Sequence, residues 1–417
     1  MAASVKVGTF ATGTGTTTVS VAGVGFQPNA VILLGCRRAA VGSGSADVNF
    51  SLGFSAGNGD RGSTIRSADN VALSDTGRGR HGTASVVGYI QDGTDAFLGE
   101  AQLTFTADGF DVTISAAFGT SFEFVYLALG GDVTDAAVSN QTYNGLTGVQ
   151  AVVTGLSFMP KAALFLGSSI AGMGTVPVAG GSMILGCTTG TPTGENWIIT
   201  VASQDAQATT NTSRYGKSGE CLTQMTTSGT IIGRAILSSF NSDGLSLNFL
   251  EAGTSGWEYH VISLGGAAKF LAGNFLSRTD TTQTVVSTPG MNPKALLIAS
   301  HNTVESTVDT KQDHLSISVG VATSPTARHC VVATEKDAVA LSVGWTSYHS
   351  DAVYARGDFA DIEVGLMDIA ELGTGTGQFE FVMDDADPNA AFVGFLAIGD
   401  APGGSALAKI RRNWDQM

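Results

Sequence analysis

Two overlapping runs near residue 55 carry residue types that could do chemistry. Gly53-Phe54-Ser55-Ala56-Gly57 has the Gly-x-Ser-x-Gly spacing of a nucleophile elbow. In that motif a sharp strand-to-helix turn presents the serine to a histidine backed by an acid. Gly57-Asn58-Gly59-Asp60-Arg61-Gly62 has the Gly-x-Gly-x-x-Gly spacing that lets backbone approach a pyrophosphate at a helix N-terminus. No helical pattern follows either run, and Ser63-Thr64-Ile65-Arg66-Ser67 reads as a strand. Both runs therefore read as glycine turns at strand ends rather than as sites. Gly216-Lys217-Ser218 resembles the end of a phosphate loop, but Asn211 stands where its first glycine belongs.

Metal chemistry is equally unsupported. The histidines His81, His260, His301, His314, His329 and His349 lack ligand spacing such as His-Glu-x-x-His. Asp69, Asn70 and Asp75 could offer oxygen ligands to calcium, but the corresponding stretches Asp205-Ala206-Gln207 and Lys336-Asp337-Ala338 do not keep the acid set. Turn-forming side chains are the better reading. Tyr215, Trp345 and Tyr348 are the candidates for a sugar-stacking platform, set against the ordinary role of strand aromatics in a core. No catalytic residue, metal or cofactor is expected.

These residues sit on a chain that repeats itself. Phe26-Gln27-Pro28-Asn29-Ala30-Val31-Ile32-Leu33 returns as Phe158-Met159-Pro160-Lys161-Ala162-Ala163-Leu164-Phe165 and as Met291-Asn292-Pro293-Lys294-Ala295-Leu296-Leu297-Ile298. The prolines are 132 and 133 residues apart. Gly53, Gly186 and Gly320 keep that step, and Phe122–Gly131 returns as Trp257–Gly266. In the third copy Phe392–Gly399 matches the end of that segment. Phe379-Glu380-Phe381-Val382 resembles its start, so an insertion around 383–389 is expected. Such a period marks an array of similar units.

The local grammar is strand and turn. Val19 and Val21 alternate with Ser20 and Ala22. Ala30–Gly35 is a continuous apolar run, as in a strand covered on both faces. Asp108-Gly109 between two alternating runs signals a hairpin. The expected fold is all-β: three tandem antiparallel β-sandwich, jelly-roll-like repeats of about 130 residues, at 1–132, 133–266 and 267–400, followed by a linker and peptide at 401–417. Three such units could imitate a trimer about a pseudo-threefold axis or string out as beads; the linkers Gly130-Gly131-Asp132 and Gly265-Gly266-Ala267 are very short, which favours a compact arrangement over a loose chain.

Composition narrows the function. The chain of 417 residues is 43% hydrophobic and only 14% charged, with 55 glycines and a net charge of −15. An acidic body repels phosphate, so nucleic acid is not an expected partner. No apolar run approaches a membrane span. Cys36, Cys187, Cys221 and Cys330 do not repeat with the units, which argues for free thiols. The N-terminus lacks the apolar core of a signal peptide, which predicts a product made and kept in the cytosol or assembled there. After the linker, Leu407, Ile410 and Trp414 fall at helical spacing beside Lys409, Arg411 and Arg412. Leu407, Ile410, Arg411, Arg412 and Trp414 are the candidate partner-binding residues, because Trp and Arg are common interface anchors.

The set Gly25–Ile32, Asp69–Arg78 and Leu127–Asp132 resembles β-rich domains of tailed-bacteriophage virion structural proteins, of tail, fibre or head-decoration type. The resemblance is clearest in the first repeat and does not reach the C-terminal peptide. It implies a non-enzymatic protein exposed on the virion, made in the host bacterial cytoplasm, with other virion proteins as partners in a symmetric assembly. The alternative is a tandem carbohydrate-binding adhesin or receptor-binding protein, with a host-surface glycan as its ligand.

Overall fold

The computed structural model describes residues 2–37, 44–81, 85–91, 96–171, 177–190, 193–357, 363–373 and 377–402. The peptide carrying Leu407, Ile410, Arg411, Arg412 and Trp414 lies outside the described residues. The protein is all-β. Among the described residues the strands form three seven-stranded and three four-stranded sheets, all antiparallel.

The first large sheet runs Ala3–Ala11, Phe122–Gly131, Ala30–Arg37, Val48–Ala56, Gly59–Ser67, Thr76–His81 and Val178–Ala179. Its small companion runs Thr18–Ala22, Gly109–Ala116, Ala96–Thr106 and Val87–Gln91. The first two strands pair with the last two, as in a jelly roll. The strands between them form two plain meanders, one per sheet, so the jelly-roll wrapping is confined to the outer pairs. The same order recurs in the second and third sheet pairs.

Periodicity explains which sheet is covered twice. Along Ala30–Arg37, residues Ala30, Ile32, Leu34 and Cys36 enter a large central core, and Val31 and Leu33 enter the core against the small sheet. Leu164 and Phe165 divide in the same way, as do Leu297 and Leu296. The central core draws on all three large sheets, with Leu34 and Leu52 beside Leu166, Leu185, Leu297 and Val319 among its members. Inner large-sheet strands such as Ala30–Arg37 are therefore buried and apolar on both faces, whereas Gly59–Ser67 and Thr76–His81 are equally buried but carry Arg61, Arg66, Arg78 and Arg80. The longer strands of the small sheets bury one face, whereas the short strands Val87–Gln91 and Leu222–Met225 are buried almost throughout. Phe110, Val112 and Ile114 point inward while Asp111, Thr113 and Ser115 are partly or fully exposed.

Three two-residue strands close the assembly. Val178–Ala179 pairs with Arg78 and Gly77 of the first large sheet. Gln312–Asp313 pairs with Arg214 and Ser213 of the second. Ser45–Ala46 pairs with Thr346 and Trp345 of the third. Each sheet pair thus lends an edge strand to its neighbour in one rotational sense, and the cycle closes on itself. The first and last described strands meet in the same ring, where Ala3 N donates to Asp400 Oδ1 at 2.7 Å.

The third copy departs from the sequence expectation. Phe379–Val382 lies in Gln378–Asp385, the small-sheet strand equivalent to Gly109–Ala116. It does not begin the strand Phe392–Asp400. No insertion separates them, because residues 386–391 are the ordinary crossing between sheets, as 117–121 are in the first copy. Alternating aromatics on two different strands produced the misreading.

Candidate functional site

Ser55 lies within the strand Val48–Ala56, opposite Val31 and Asp60, and is 2% exposed. Its hydrogen-bonding partner is the carboxyl of Asp60, whose Oδ2 also accepts Leu103 N at 2.8 Å. Burial raises the Asp60 pKa, partly offset by those bonds. Ser55 and Asp60 line an open cleft of about 440 Å³ with Gln27, Gln102 and Phe105. His81 is engaged elsewhere, through Nε2 with Thr64 Oγ1 at 3.0 Å and Nδ1 with Glu100 Oε1 at 3.3 Å. The pair is an acid beside a serine at a sheet-to-sheet tie, without the histidine that an elbow uses.

The repeated glycine of that motif has a packing cause. A Cβ on Gly53 would lie 1.8 Å from Val86 O; on Gly186, 1.9 Å from Cys221 O; on Gly320, 1.9 Å from Val353 O. In each copy the chain entering the small sheet lays its carbonyl on this glycine, and only the absence of a side chain permits it.

The other motifs resolve into seams between sheet pairs. Gly57-Asn58 is the turn of the hairpin closed by Ala56 and Gly59. Asn58 docks on the second large sheet, with Nδ2 donating to Val138 O at 2.7 Å and Oδ1 accepting Val138 N at 2.8 Å. Lys217 and Ser218 hold Glu305 of the third copy, at 3.0 Å from Lys217 Nζ and 2.6 Å from Ser218 Oγ.

The acidic loop weighed for calcium is the most regular of these seams. Asp205 Oδ1 accepts Thr76 N at 2.8 Å, Asp337 Oδ1 accepts Thr212 N at 2.6 Å, and Asp69 Oδ1 accepts Gly344 N at 3.0 Å. Ala206 N donates to Ser74 O, Ala338 N to Thr210 O and Asn70 N to Ser342 O. Ala206, Ala338 and Asn70 share the left-handed backbone, with φ of 56°, 59° and 54°. One aspartate of each stretch, Asp69, Asp205 or Asp337, is thus kept in the same role although the rest of the acid set is not. Each carboxylate accepts a backbone N–H across the seam. Among the described residues no group of three His, Cys, Asp or Glu side chains converges to hold one.

One buried ion pair crosses the first and second sheet pairs. Arg80 bonds Glu258, and Asn140 bridges them through Oδ1 at 3.2 Å from Arg80 Nη1 and Nδ2 at 3.0 Å from Glu258 Oε2. Burial lowers the Arg80 pKa to about 10, which leaves it charged at neutral pH.

The aromatic platform is a correction. Tyr215 is fully buried in the core between the second large sheet and its small companion, its hydroxyl donating to Glu220 Oε2 at 3.1 Å. Tyr348 belongs to the central core, with its hydroxyl 2.8 Å from His329 Nδ1. Trp345 is 4% exposed and lies against Gly357. These rings offer no face to a sugar, because each is buried and the strands that carry them, Thr212–Ser218 and Gly344–His349, are covered on both sides there.

All four cysteines are buried. Burial raises the thiol pKa of Cys187, Cys221 and Cys330.

No protein-family model matches the chain, and no curated protein does. Among solved structures, "OmpT (in-vitro folded), an outer membrane protein of Vibrio cholerae" aligns over 89% of this chain and 98% of its own, at 8% identity and a TM-score of 0.11. That similarity is too low to carry an argument about either fold or function.

Proposed function

We infer that this chain is a non-enzymatic structural protein exposed on a tailed-bacteriophage virion. On this reading it is tail-associated (fibre or tip) or head-decorating, and it works through protein–protein contacts. The observation that carries the reading is the closed ring of lent edge strands. We read the chain as three tandem β-sandwich units, 1–132, 133–266 and 267–400, which together imitate a trimer. A body of that symmetry suits a place in a symmetric particle. The residues that could have done chemistry support the reading as well. Asn58, Asp69, Asp205, Asp337, Lys217 and Ser218 are all occupied in holding copies together.

The C-terminal peptide is proposed to anchor the body through Leu407, Ile410, Arg411, Arg412 and Trp414. Mass spectrometry of purified particles tests the assignment: the chain should be present at stoichiometric abundance, and its absence would end the structural reading. Truncation after Gly404 should leave a folded body that no longer incorporates. Incorporation at full occupancy would move the anchor to the sheets.

A further inference from the structure

Three equivalent strands end at the centre of the ring: Gly59–Ser67, Asn196–Ser203 and Arg328–Glu335. Their last residues hold the same register, Ser67 opposite Thr76, Ser203 opposite Thr212 and Glu335 opposite Gly344. Ser67, Ser203 and Glu335 each have no exposure to solvent. The hydroxyls of Ser67 and Ser203 are the side-chain hydrogen-bonding neighbours of the Glu335 carboxyl. The contact is close without being well aligned, since neither carboxyl oxygen and neither hydroxyl completes a bond of good geometry. One residue from each sheet pair therefore meets at a single buried point, and only one of them can ionise.

The charged groups around this point offer a carboxylate no compensation. Asp337, two residues further along, repels it. Asp69 and Asp205 occupy the equivalent places beyond Ser67 and Ser203, and all three aspartates accept backbone N–H groups. Arg66, next to Ser67, is committed to Asp75. His314 accepts Asp337 N through Nδ1 at 2.9 Å, and burial lowers its pKa. The adjoining strands bring Val48, Gly181 and Leu315 alongside, none of them charged. Lys336 is exposed.

We propose that Glu335 is a protonation-controlled pin of the ring. As a neutral acid it donates to one serine hydroxyl and accepts from the other, tying the three strand ends together. As a carboxylate it is a buried charge without a cation, and it loosens the seam where all three copies meet.

Burial drives the Glu335 pKa from 4.5 up to about 7, against the smaller pull of the two hydroxyls. The folded acid thus holds its proton more tightly than the unfolded one. Its stabilising contribution is complete below about pH 4.5 and is lost as pH rises to about 7. The folding equilibrium should fall on the order of 10²-fold across that window from this residue alone.

The test compares urea unfolding of the full chain at pH 5 and pH 8 for wild type, Glu335→Gln and Glu335→Ser. Glu335→Ser supplies the side chain present at the two equivalent positions. Relative to wild type, both variants should gain on the order of 10²-fold more stability at pH 8 than at pH 5. Infrared difference spectra of wild type should lose a protonated-carboxyl band near neutral pH that Glu335→Gln lacks. If one variant fails to fold, the other and the spectra still decide. An equal variant-to-wild-type gap at both pH values overturns the proposal. So does a wild-type alkaline loss that sodium abolishes and choline does not, which would make the point a cation site.

Discussion

Asp205 Oδ1 sits 2.8 Å from the amide nitrogen of Thr76, more than a hundred residues earlier, and the bond joins the second sheet pair to the first. Its two counterparts complete a circle, so each aspartate terminates its neighbour's last long strand. Replacing Asp205 by Ala leaves a buried N–H unsatisfied and should cost about 1–3 kcal/mol of unfolding free energy. Asp205→Asn keeps an acceptor and should cost less. Denaturant titration of Asp205→Ala, Asp337→Ala and Asp69→Ala should give similar losses. The double variants should depart from additivity, because the three bonds close one ring.

The glycine at the sheet crossing gives a sharper contrast. Gly53→Ala drives a Cβ into the Val86 carbonyl and should destabilise by about 3 kcal/mol or more. Gly186→Ala and Gly320→Ala should behave alike. Gly57→Ala meets nothing within 4 Å and should be nearly silent. Thermal melts of the four variants check this, and a silent Gly53→Ala would contradict the backbone contact.

Removing Glu258 strands the guanidinium of Arg80 in the interface between the first two sheet pairs. Glu258→Ala should cost about 3–5 kcal/mol, as breaking a buried pair from one side does. Glu258→Gln retains the bridge to Asn140 and should cost less. A double variant, Glu258→Met with Arg80→Met, should recover much of the loss, since apolar groups of similar volume replace such pairs well. Stability measured at constant salt decides between these outcomes.

The bond between Ala3 N and Asp400 Oδ1 makes the ends of the body neighbours. Lys294 reinforces the junction with an ion pair to Asp400. A circular permutant that joins Asp400 to Ala3 through a short glycine linker and opens the chain after Asp132 should fold with native spectroscopic signatures. Its melting temperature should fall modestly. Failure to fold would mean that the first and third copies do not share the kind of contact the linkers hold elsewhere.

Much of this architecture could be read from alternation. The unbroken apolar stretch Ala30–Gly35 announced a strand covered twice, and Ile32 and Leu33 do enter opposite cores. The repeated proline and glycine landmarks fell on equivalent structure. What escaped is what pattern cannot encode. Ser45–Ala46 is too short for any period, so the lent strands were invisible. Asp69 and Asp205 play one part in dissimilar surroundings, so the acid set looked scattered. Tyr215, Trp345 and Tyr348 look like ligand aromatics until the second covering layer is known. Glu335 is one acid among many until its partners prove to be two buried serines.

The lent strands also impose a timetable. Ser45–Ala46 finds its partner only when Trp345 and Thr346 have been made. At ordinary synthesis speeds the ribosome takes roughly 15 to 60 s to cover that distance. For that interval the first unit carries a donated arm with nowhere to go, and an open edge until Val178–Ala179 arrives. Unpaired edges recruit other chains. Nascent copies on one messenger could thus trade arms before each closes on itself, giving linked dimers with native seams. Expression rate, more than final stability, would then govern how much of the product is monomeric.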